Sequence, residues 1–315
     1  MKKNIDFGKQ DDSILITGGT GLLGTELKFG KRIGSADVDL TDTEQVMDYF
    51  SDHKPEKVIH CAGLVGGVKT NTERMGDFFT QNMKMNMNVI EACKEFGVKK
   101  LIGFLSTCVF PDEVAQKGVL TENDIMNGVP HSSNYGYAYA KRMMYVNAMA
   151  YKQQYGLDYN MIIPCNLYGS NDNYNLNDSH LVPALIKKCY LAKLNNTEFQ
   201  VWGDGKPLRQ FMYAEDLAYI IYQIVSKNMD IPSLMIVAPE EECSVKEIVE
   251  HIASIFDYDM KGVYYNTDMP KGQFKKTSKN DVFRKYFKRF QFTDIHDGLS
   301  ETIEYFQKNL IHLRS

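Results

Sequence analysis

The sequence predicts an α/β protein built on a doubly wound parallel sheet, with a smaller C-terminal α/β part. Three observations carry this. Short apolar runs alternate with longer segments whose apolar residues recur at helical spacing. The first apolar run, Ser13-Ile14-Leu15-Ile16-Thr17, leads directly into a glycine-rich turn. The alternation continues through Pro164 and loosens beyond it, as expected when a regular sheet gives way to a second unit.

Residues 13–17 read as a buried first strand. The turn after it is Gly18-Gly19-Thr20-Gly21-Leu22-Leu23-Gly24, with glycines at every third position between strand and helix. Glycines there permit a tight turn and close backbone approach to a pyrophosphate, and the helix start supplies free N–H groups and a positive dipole end. A Rossmann-type dinucleotide site is the expectation. The first crossover is short: residues 25–31 span about 10 Å as a helix, where a whole crossover usually takes about ten residues or more. A stub first helix and a short or irregular second strand near Ile33 are predicted. The reader of the adenosine ribose lies in that region. Lys31 and Arg32 suit a 2′-phosphate, and Asp37 suits a 2′-hydroxyl.

Residues 41–50 read as a helix capped by Thr41 or Thr43, and residues 57–60 as the third strand. The lone His60 at its end reads as structural, and the small Cys61-Ala62-Gly63 after it suit passage of a dinucleotide. Val65-Gly66-Gly67-Val68 reads as a flexible loop. Residues 78–96 form a long helix with apolar and Met positions at helical spacing, a core or dimer face. A fourth strand over 100–105 ends in Ser106-Thr107-Cys108. A helix over 137–155 and a strand over 158–164 complete the regular part.

The helix at 137 opens with Tyr137-Ala138-Tyr139-Ala140-Lys141. Tyr and Lys four apart lie on one face, about 6 Å apart along the axis. A free phenol titrates near pH 10, and a neighbouring ammonium is expected to draw it toward neutrality. Ser106, at the tip of the preceding strand, adds a hydroxyl. Together these groups suit protonation of an oxygen while hydride arrives on its carbon, which is the chemistry of a ketone reductase.

Beyond Pro164 come a polar loop, a helix over 181–191 preceded by His180, and a strand over 199–202. The turn Gly203-Asp204-Gly205 follows, then Arg209-Gln210-Phe211, a helix over 214–225, and amphipathic helices over 244–256 and 293–310. We expect residues 1–165 to form the dinucleotide-binding domain, with 208–236 returning to it. Residues 166–207 and 237–315 are expected to form the substrate-binding domain. Between Lys271 and Arg289 stand eight basic residues and one acid, Asp281. The run suits a solvated face or a nucleotide-sugar diphosphate.

Composition narrows the class. The chain has 315 residues, 43% hydrophobic and 24% charged, which is ordinary for a globular protein. A net charge of −4 argues against a nucleic-acid binder. Six scattered cysteines show no Cys-x-x-Cys or zinc spacing, so free thiols and no metal are expected. No apolar run reaches the ~20 residues of a membrane span, and no leader is visible, so a cytoplasmic setting is expected.

With the glycine loop, Ser106 and Tyr137 to Lys141 in hand, the chain resembles the extended short-chain dehydrogenase/reductases. More narrowly it resembles the GDP-L-fucose synthase family, the GDP-4-keto-6-deoxy-D-mannose 3,5-epimerase-4-reductases. Leu105-Ser106-Thr107-Cys108-Val109-Phe110-Pro111-Asp112, Asn166-Leu167-Tyr168-Gly169, Ser179-His180, Val201-Trp202-Gly203, Arg209-Gln210-Phe211 and Gly272-Gln273-Phe274-Lys275-Lys276 carry the likeness. It extends from about Ser13 to the end.

The resemblance implies NADP(H) as cofactor, a GDP-sugar as substrate and a homodimer through the helices at 78–96 and 137–155. It implies Cys108 and His180 as base and acid for inversion at C3 and C5. Tyr137, Lys141 and Ser106 then serve reduction at C4. For the cofactor it implies the loop Gly18, Gly19, Thr20, Gly21, Leu22, Leu23 and Gly24, then Asp39 and Leu40. Leu105, Ser106, Thr107 and Lys141 belong to the same site, as do Pro164, Asn166, Leu167 and His180. For the sugar nucleotide it implies Asn166, Lys188, Trp202, Arg209 and Lys276. A C4-reductase or epimerase-reductase on another GDP-linked 4-keto sugar, or a non-catalytic dinucleotide-binding protein, are the alternatives. Two departures stand out: the shortened first crossover, whose basic residues do not align with the family's phosphate reader, and Lys271, where the family often has Asp.

Overall fold

The computed structural model describes residues 6–269 and 275–313. Strand β1 (Asp11–Thr17) ends in four buried residues and is followed by α1 (Leu22–Glu26) and β2 (Gly30–Ile33). The stub helix and short second strand are as predicted. The helix starts at Leu22, directly on the glycine turn, rather than at Thr25. Helix α2 (Thr43–His53) is capped by Asp42, whose carboxylate accepts the Gln45 N–H at 3.1 Å. The two threonines expected as caps are engaged elsewhere. Thr41 donates its hydroxyl to Asp39 (2.8 Å) and Thr43 donates to Asn88 (3.0 Å).

Strand β3 (Lys57–His60) leads through a loop to α3 (Val68–Glu73), so the glycine-rich loop is helical from Val68 onward. Then come α4 (Met75–Glu95), β4 (Lys100–Phe104), α5 (Asp112–Lys117), α6 (Tyr135–Tyr155) and β5 (Asp158–Pro164). Beyond them lie β6 (Asn166–Tyr168), α7 (Leu181–Asn195), β7 (Phe199–Trp202), β8 (Leu208–Arg209) and β9 (Phe211–Tyr213). Next are α8 (Ala214–Ser226), β10 (Leu234–Val237), β11 (Cys243–Ser244) and α9 (Val245–Ile255). Ser244 and Glu247 close a reciprocal capping box at the start of α9. The described chain ends with β12 (Val263–Asn266), α10 (Asp281–Tyr286) and α11 (Ile295–Lys308).

The main sheet has the order β2-β1-β3-β4-β5-β10, and every neighbouring pair is parallel. From β1 the chain steps outward to β2, then returns to lay β3 on the other side. This reversal opens a crevice at the carboxyl ends of β1 and β3, the usual ligand position in an open α/β sheet. The outer edge at β10 is blunted: the Ile236 N–H donates to the Glu122 carboxylate at 2.9 Å.

Two apolar cores result. The first joins the sheet to α2, α4, α6 and α8 and includes Phe283, with Phe287, Phe290 and Phe292 packed against it. The second gathers Tyr168, Tyr174 and the buried faces of α7, β7, α9 and α11. Each large side chain wholly withdrawn from water contributes about 1.5–3 kcal/mol, so Phe283, Tyr174 and Phe306, all at most 1% exposed, are principal anchors. A polar relay joins the stub helix to the last one. Asn171 donates to Glu26 (3.2 Å) and accepts from the Tyr305 hydroxyl (2.8 Å), while Lys28 pairs with the same Glu26 (3.1 Å).

Candidate active site

The glycine turn closes on the crevice because nothing larger fits. Gly18 has φ +68°, and a β-carbon there would lie 2.6 Å from the Ala62 nitrogen at the exit of β3. A β-carbon on Gly24 would run into the Gly18 carbonyl oxygen. Gly21 stands before α1 without a side-chain cap, and Leu23 is buried beneath the turn. Thr20 packs over Gly34, and Leu22 reaches toward Gly169. On the far side of the crevice the Leu105 N–H is tied to the Ile162 carbonyl (2.8 Å), Thr107 is buried, and Pro164 ends β5. Leu167 lies half-buried in β6.

At the ribose-reading position the three expected side chains diverge. Arg32 lies against Gly19, whose missing β-carbon would fall 2.5 Å from Arg32 Cβ, and its guanidinium donates to the Thr25 carbonyl at 3.0 Å. Lys31 turns to the opposite face, 5.5 Å over the Tyr49 ring. The Asp37 carboxylate is held in its own turn by the Gly34 N–H (2.8 Å). Asp39 accepts from the Thr41 N–H and hydroxyl at 2.9 and 2.8 Å, and the buried Leu40 gives its carbonyl to Asn88.

Under the crevice is a buried polar layer. His60 is fully buried: Nδ1 lies 2.7 Å from the Thr17 hydroxyl and Nε2 lies 3.1 Å from Asn86 Oδ1. With Nε2–H donating to Asn86, Nδ1 accepts from Thr17. Burial, reinforced by the nearby Lys141 cation, pushes His60 down to about 3, so it stays neutral and structural, as read from the sequence. Asn82 clasps the loop beyond β3, accepting from the Leu64 N–H and donating to the Leu64 carbonyl, both at 3.0 Å. A β-carbon on Gly63 would come within 3.1 Å of Asn82 Oδ1 and 3.4 Å of Lys141 Nζ.

Lys141 is 3% exposed, and burial pushes it down to about 8, with Cys61 acting the other way. Its Nζ lies 5.9 Å from the centre of the Tyr137 ring, and Phe78 packs edge-on to that ring at 6.5 Å. The expectation that Lys141 draws the Tyr137 phenol toward neutrality is not met. Burial raises the phenol above its ordinary value, and the neighbouring Cys108 adds to the rise. Loss of hydration governs the phenol, so Tyr137 is a protonated donor at neutral pH.

Ser106 and Cys108 sit together at the end of β4. A 3-10 turn over Thr107–Val109 begins on Ser106, whose Oγ accepts the Cys108 N–H at 3.3 Å. The Cys108 sulfur is half-buried, within electrostatic reach of Tyr137 and Arg209, and 3.6 Å from Lys276 Nζ. Arg209 donates to the Leu208 carbonyl at 2.7 Å, and burial lowers its value. The structure thus brings Ser106, Cys108, Tyr137, Arg209 and Lys276 to one place.

His180, Lys188 and Trp202 are carried by the second core. His180 is exposed at the N-cap before α7, and the Asp178 carbonyl two residues earlier accepts the Gly67 N–H at 3.1 Å. Lys188 Nζ lies 4.5 Å over the Trp202 ring, and burial lowers its value. Trp202 is 40% exposed, so it is a surface platform rather than core. Asn166 donates to the Gln210 carbonyl at 2.8 Å. Lys271 and Gly272-Gln273-Phe274 lie outside the described residues.

Two site-building residues were not read from the sequence. Asn82 was hidden in a helical run, where an inward amide looks like any surface Asn. Gln210 is 1% exposed, donates to the Pro239 and Ser278 carbonyls (2.7 and 3.0 Å) and accepts the Ser278 N–H (2.8 Å). Only its place between Arg209 and Phe211 in a quoted phrase could have marked it.

A dinucleotide fits these residues. The Lys141 ammonium donates to no described residue, so its donors are left for a ligand beside Gly63. The arrangement can hold a carbonyl oxygen against Tyr137 and Ser106 while a thiol faces a neighbouring carbon.

Residues 30–238 match the NAD dependent epimerase/dehydratase family. The chain is 38% identical over 309 residues to the GDP-L-fucose synthase of Dictyostelium discoideum, covering 94% of this chain and 96% of that one. It is 34% identical over 308 residues to the GDP-L-colitose synthase of Yersinia pseudotuberculosis, covering 93% and 97%. Its fold matches the crystal structure of a GDP-L-fucose synthetase from Naegleria fowleri bound to NADP, with TM-score 0.88, 35% identity, and 98% and 96% of the two chains covered.

Proposed function

Because the chain belongs to the NAD dependent epimerase/dehydratase family and, within it, to the GDP-L-fucose synthases, we propose that it converts GDP-4-keto-6-deoxy-D-mannose to GDP-L-fucose. The observation that carries this reading is the meeting of Cys108 with Tyr137, Ser106 and Arg209 beside the crevice. A simple reductase has no use for a thiol there.

The C4 carbonyl acidifies the protons on C3 and C5. The Cys108 thiolate takes such a proton, leaving an enolate, and His180 returns one to the opposite face, so the carbon inverts. Bound NADPH supplies hydride chemistry at C4. Tyr137 gives its phenolic proton to the C4 oxygen, Ser106 donates a hydrogen bond to that oxygen, and Lys141 orients the phenol and the bound ribose. Arg209 and Lys188 hold the diphosphate, and Trp202 supplies an apolar face.

Residues 1–165 with 208–236 serve the dinucleotide in this reading, and the remainder serves the sugar nucleotide. Support for the division comes from the two separate cores. A homodimer through α4 and α6 is part of the proposal, supported by Met87 and Tyr155, which leave about half of their surface exposed on those helices. No described helix is long and apolar enough to cross a membrane, and the proposed setting is cytoplasmic. The Yersinia relative supports a second reading, the same chemistry on another GDP-linked 4-keto sugar.

The test is product analysis by NMR. In D2O without NADPH, deuterium should enter C3 and C5 of GDP-4-keto-6-deoxy-D-mannose. With NADPH, GDP-L-fucose should form. Absence of exchange leaves a reductase, and NADPH oxidation equal in wild type and Tyr137→Phe leaves a non-catalytic binder.

A further inference from the structure

We propose that Lys276 is a positioning residue for Cys108, its ammonium holding the sulfur as a thiolate before substrate arrives. The inference rests on the reading of Cys108 as the sugar-proton acceptor. It goes beyond that reading by assigning the charge that prepares the acceptor.

The contact is direct: Nζ and Sγ are 3.6 Å apart, between residues 168 positions apart in the chain. Lys276 pairs with no carboxylate among the described residues. Glu242, which lies along its strip of chain, is engaged by the flanking residues, accepting from the Thr277 hydroxyl and pairing with Lys275 at 3.5 Å. The ammonium between them is left facing the sulfur.

The strip is fastened on both sides. The Leu120 N–H donates to the Thr277 carbonyl and the Lys279 N–H to the Leu120 carbonyl, each at 2.8 Å. Ser278 is gripped by Gln210 through two bonds of 2.8 and 3.0 Å. Lys276 therefore reaches the sulfur from a stapled backbone and not from a free loop.

Among the groups around Cys108, Lys276 is the cation in direct contact with the sulfur. From α6 comes the Tyr137 phenol, neutral at working pH. From its own turn comes the Ser106 hydroxyl, which accepts the Cys108 N–H. From β8 comes the Arg209 guanidinium, a second cation within electrostatic reach of the sulfur, which also donates to the Leu208 carbonyl. A free thiol is only a few per cent thiolate at pH 7, and an adjacent cation enlarges that fraction. In the proton step the thiolate becomes S–H as the sugar C–H becomes an enolate. Cys108 later returns its proton to solvent.

The experiment uses the full chain without substrate or cofactor. Iodoacetamide alkylation of the Cys108 peptide is followed by mass spectrometry from pH 6 to 9.5, as ranges of order set by thiol titration. Wild type, Lys276→Met and Lys276→Arg are compared, with melting curves to confirm folding. Lys276→Met should slow alkylation at pH 7 about tenfold, with the rise displaced to higher pH and a common plateau. Lys276→Arg should recover most of the rate. Superimposable profiles for wild type and Lys276→Met overturn the proposal and leave Lys276 as a substrate contact only. Deuterium exchange separates the two claims. A displaced alkylation profile in a wild type that exchanges no sugar protons keeps the ion pair and removes the reaction assigned to it.

Discussion

Gly63 and Lys141 share one small space: the β-carbon that Gly63 lacks would stand 3.4 Å from the Lys141 ammonium and 3.1 Å from Asn82 Oδ1. Asn82 also holds the following residue, Leu64, by two bonds, so the loop cannot retreat cheaply. Gly63→Val should raise the NADPH Kd at least about tenfold and destabilise the chain by about 1–3 kcal/mol. Fluorescence titration and thermal melting measure the two effects. Unchanged values in both would mean that Lys141 yields freely.

Burial of Lys141 costs stability, and the sign can be worked out. Its value is about 8 when folded against 10.5 when exposed. Below pH 8 both states are protonated and the folded chain carries the full penalty. Between 8 and 10.5 the unfolded state binds more protons, so stability rises with pH and the penalty is gone above. Lys141→Met should therefore stabilise cofactor-free protein at pH 7, by at most about 3 kcal/mol, while abolishing reduction. The gain should fade toward pH 10.5 in denaturant melts; a constant gain would assign it to packing instead.

Arg32, and not Lys31, should set cofactor preference. Arg32 lies on the glycine turn, whereas Lys31 faces Tyr49 on the other side of the sheet. Arg32→Ala should lower the NADPH-to-NADH affinity ratio about tenfold, the scale of one charge-assisted phosphate contact. Lys31→Ala should leave the ratio within about twofold. Calorimetric titration of both cofactors decides between them, and the reverse order would move the reader to the α2 face.

Trp202 and Lys188 should act in binding rather than in chemistry. Their cation–π contact at 4.5 Å presents an apolar face with a charge behind it. Trp202→Ala should raise KM for the sugar nucleotide about tenfold to a hundredfold, with kcat within about threefold. A fall in kcat at constant KM would place Trp202 nearer the reacting carbons.

Most of the framework was legible because it depends on local pattern. The buried runs at β1, β3 and β5 and the helical spacing of α4, α6, α9 and α11 announce themselves within a dozen residues. The shortness of α1 and β2 was legible for the same reason, since so few residues separate Gly24 from Ile33. What failed needed the third dimension. Asp42 displaced two equally plausible threonines because Asn88, 45 residues beyond Thr43, claims one of them. The phenol of Tyr137 went up because burial is a property of the whole fold, invisible in a four-residue spacing. The pairing of Lys276 with Cys108 joins distant parts of the chain, and no periodicity reports such a meeting.

The chain from Tyr305 through Asn171 to Glu26 makes the last helix a buttress for the first turn. A protein cut short before residue 295 would not be an intact nucleotide module missing its neighbour. It would keep the glycine loop on a helix of five residues, and Asn171 would meet Glu26 without Tyr305 behind it. Trimming or tagging at the far terminus is therefore an intervention at the coenzyme end of the molecule.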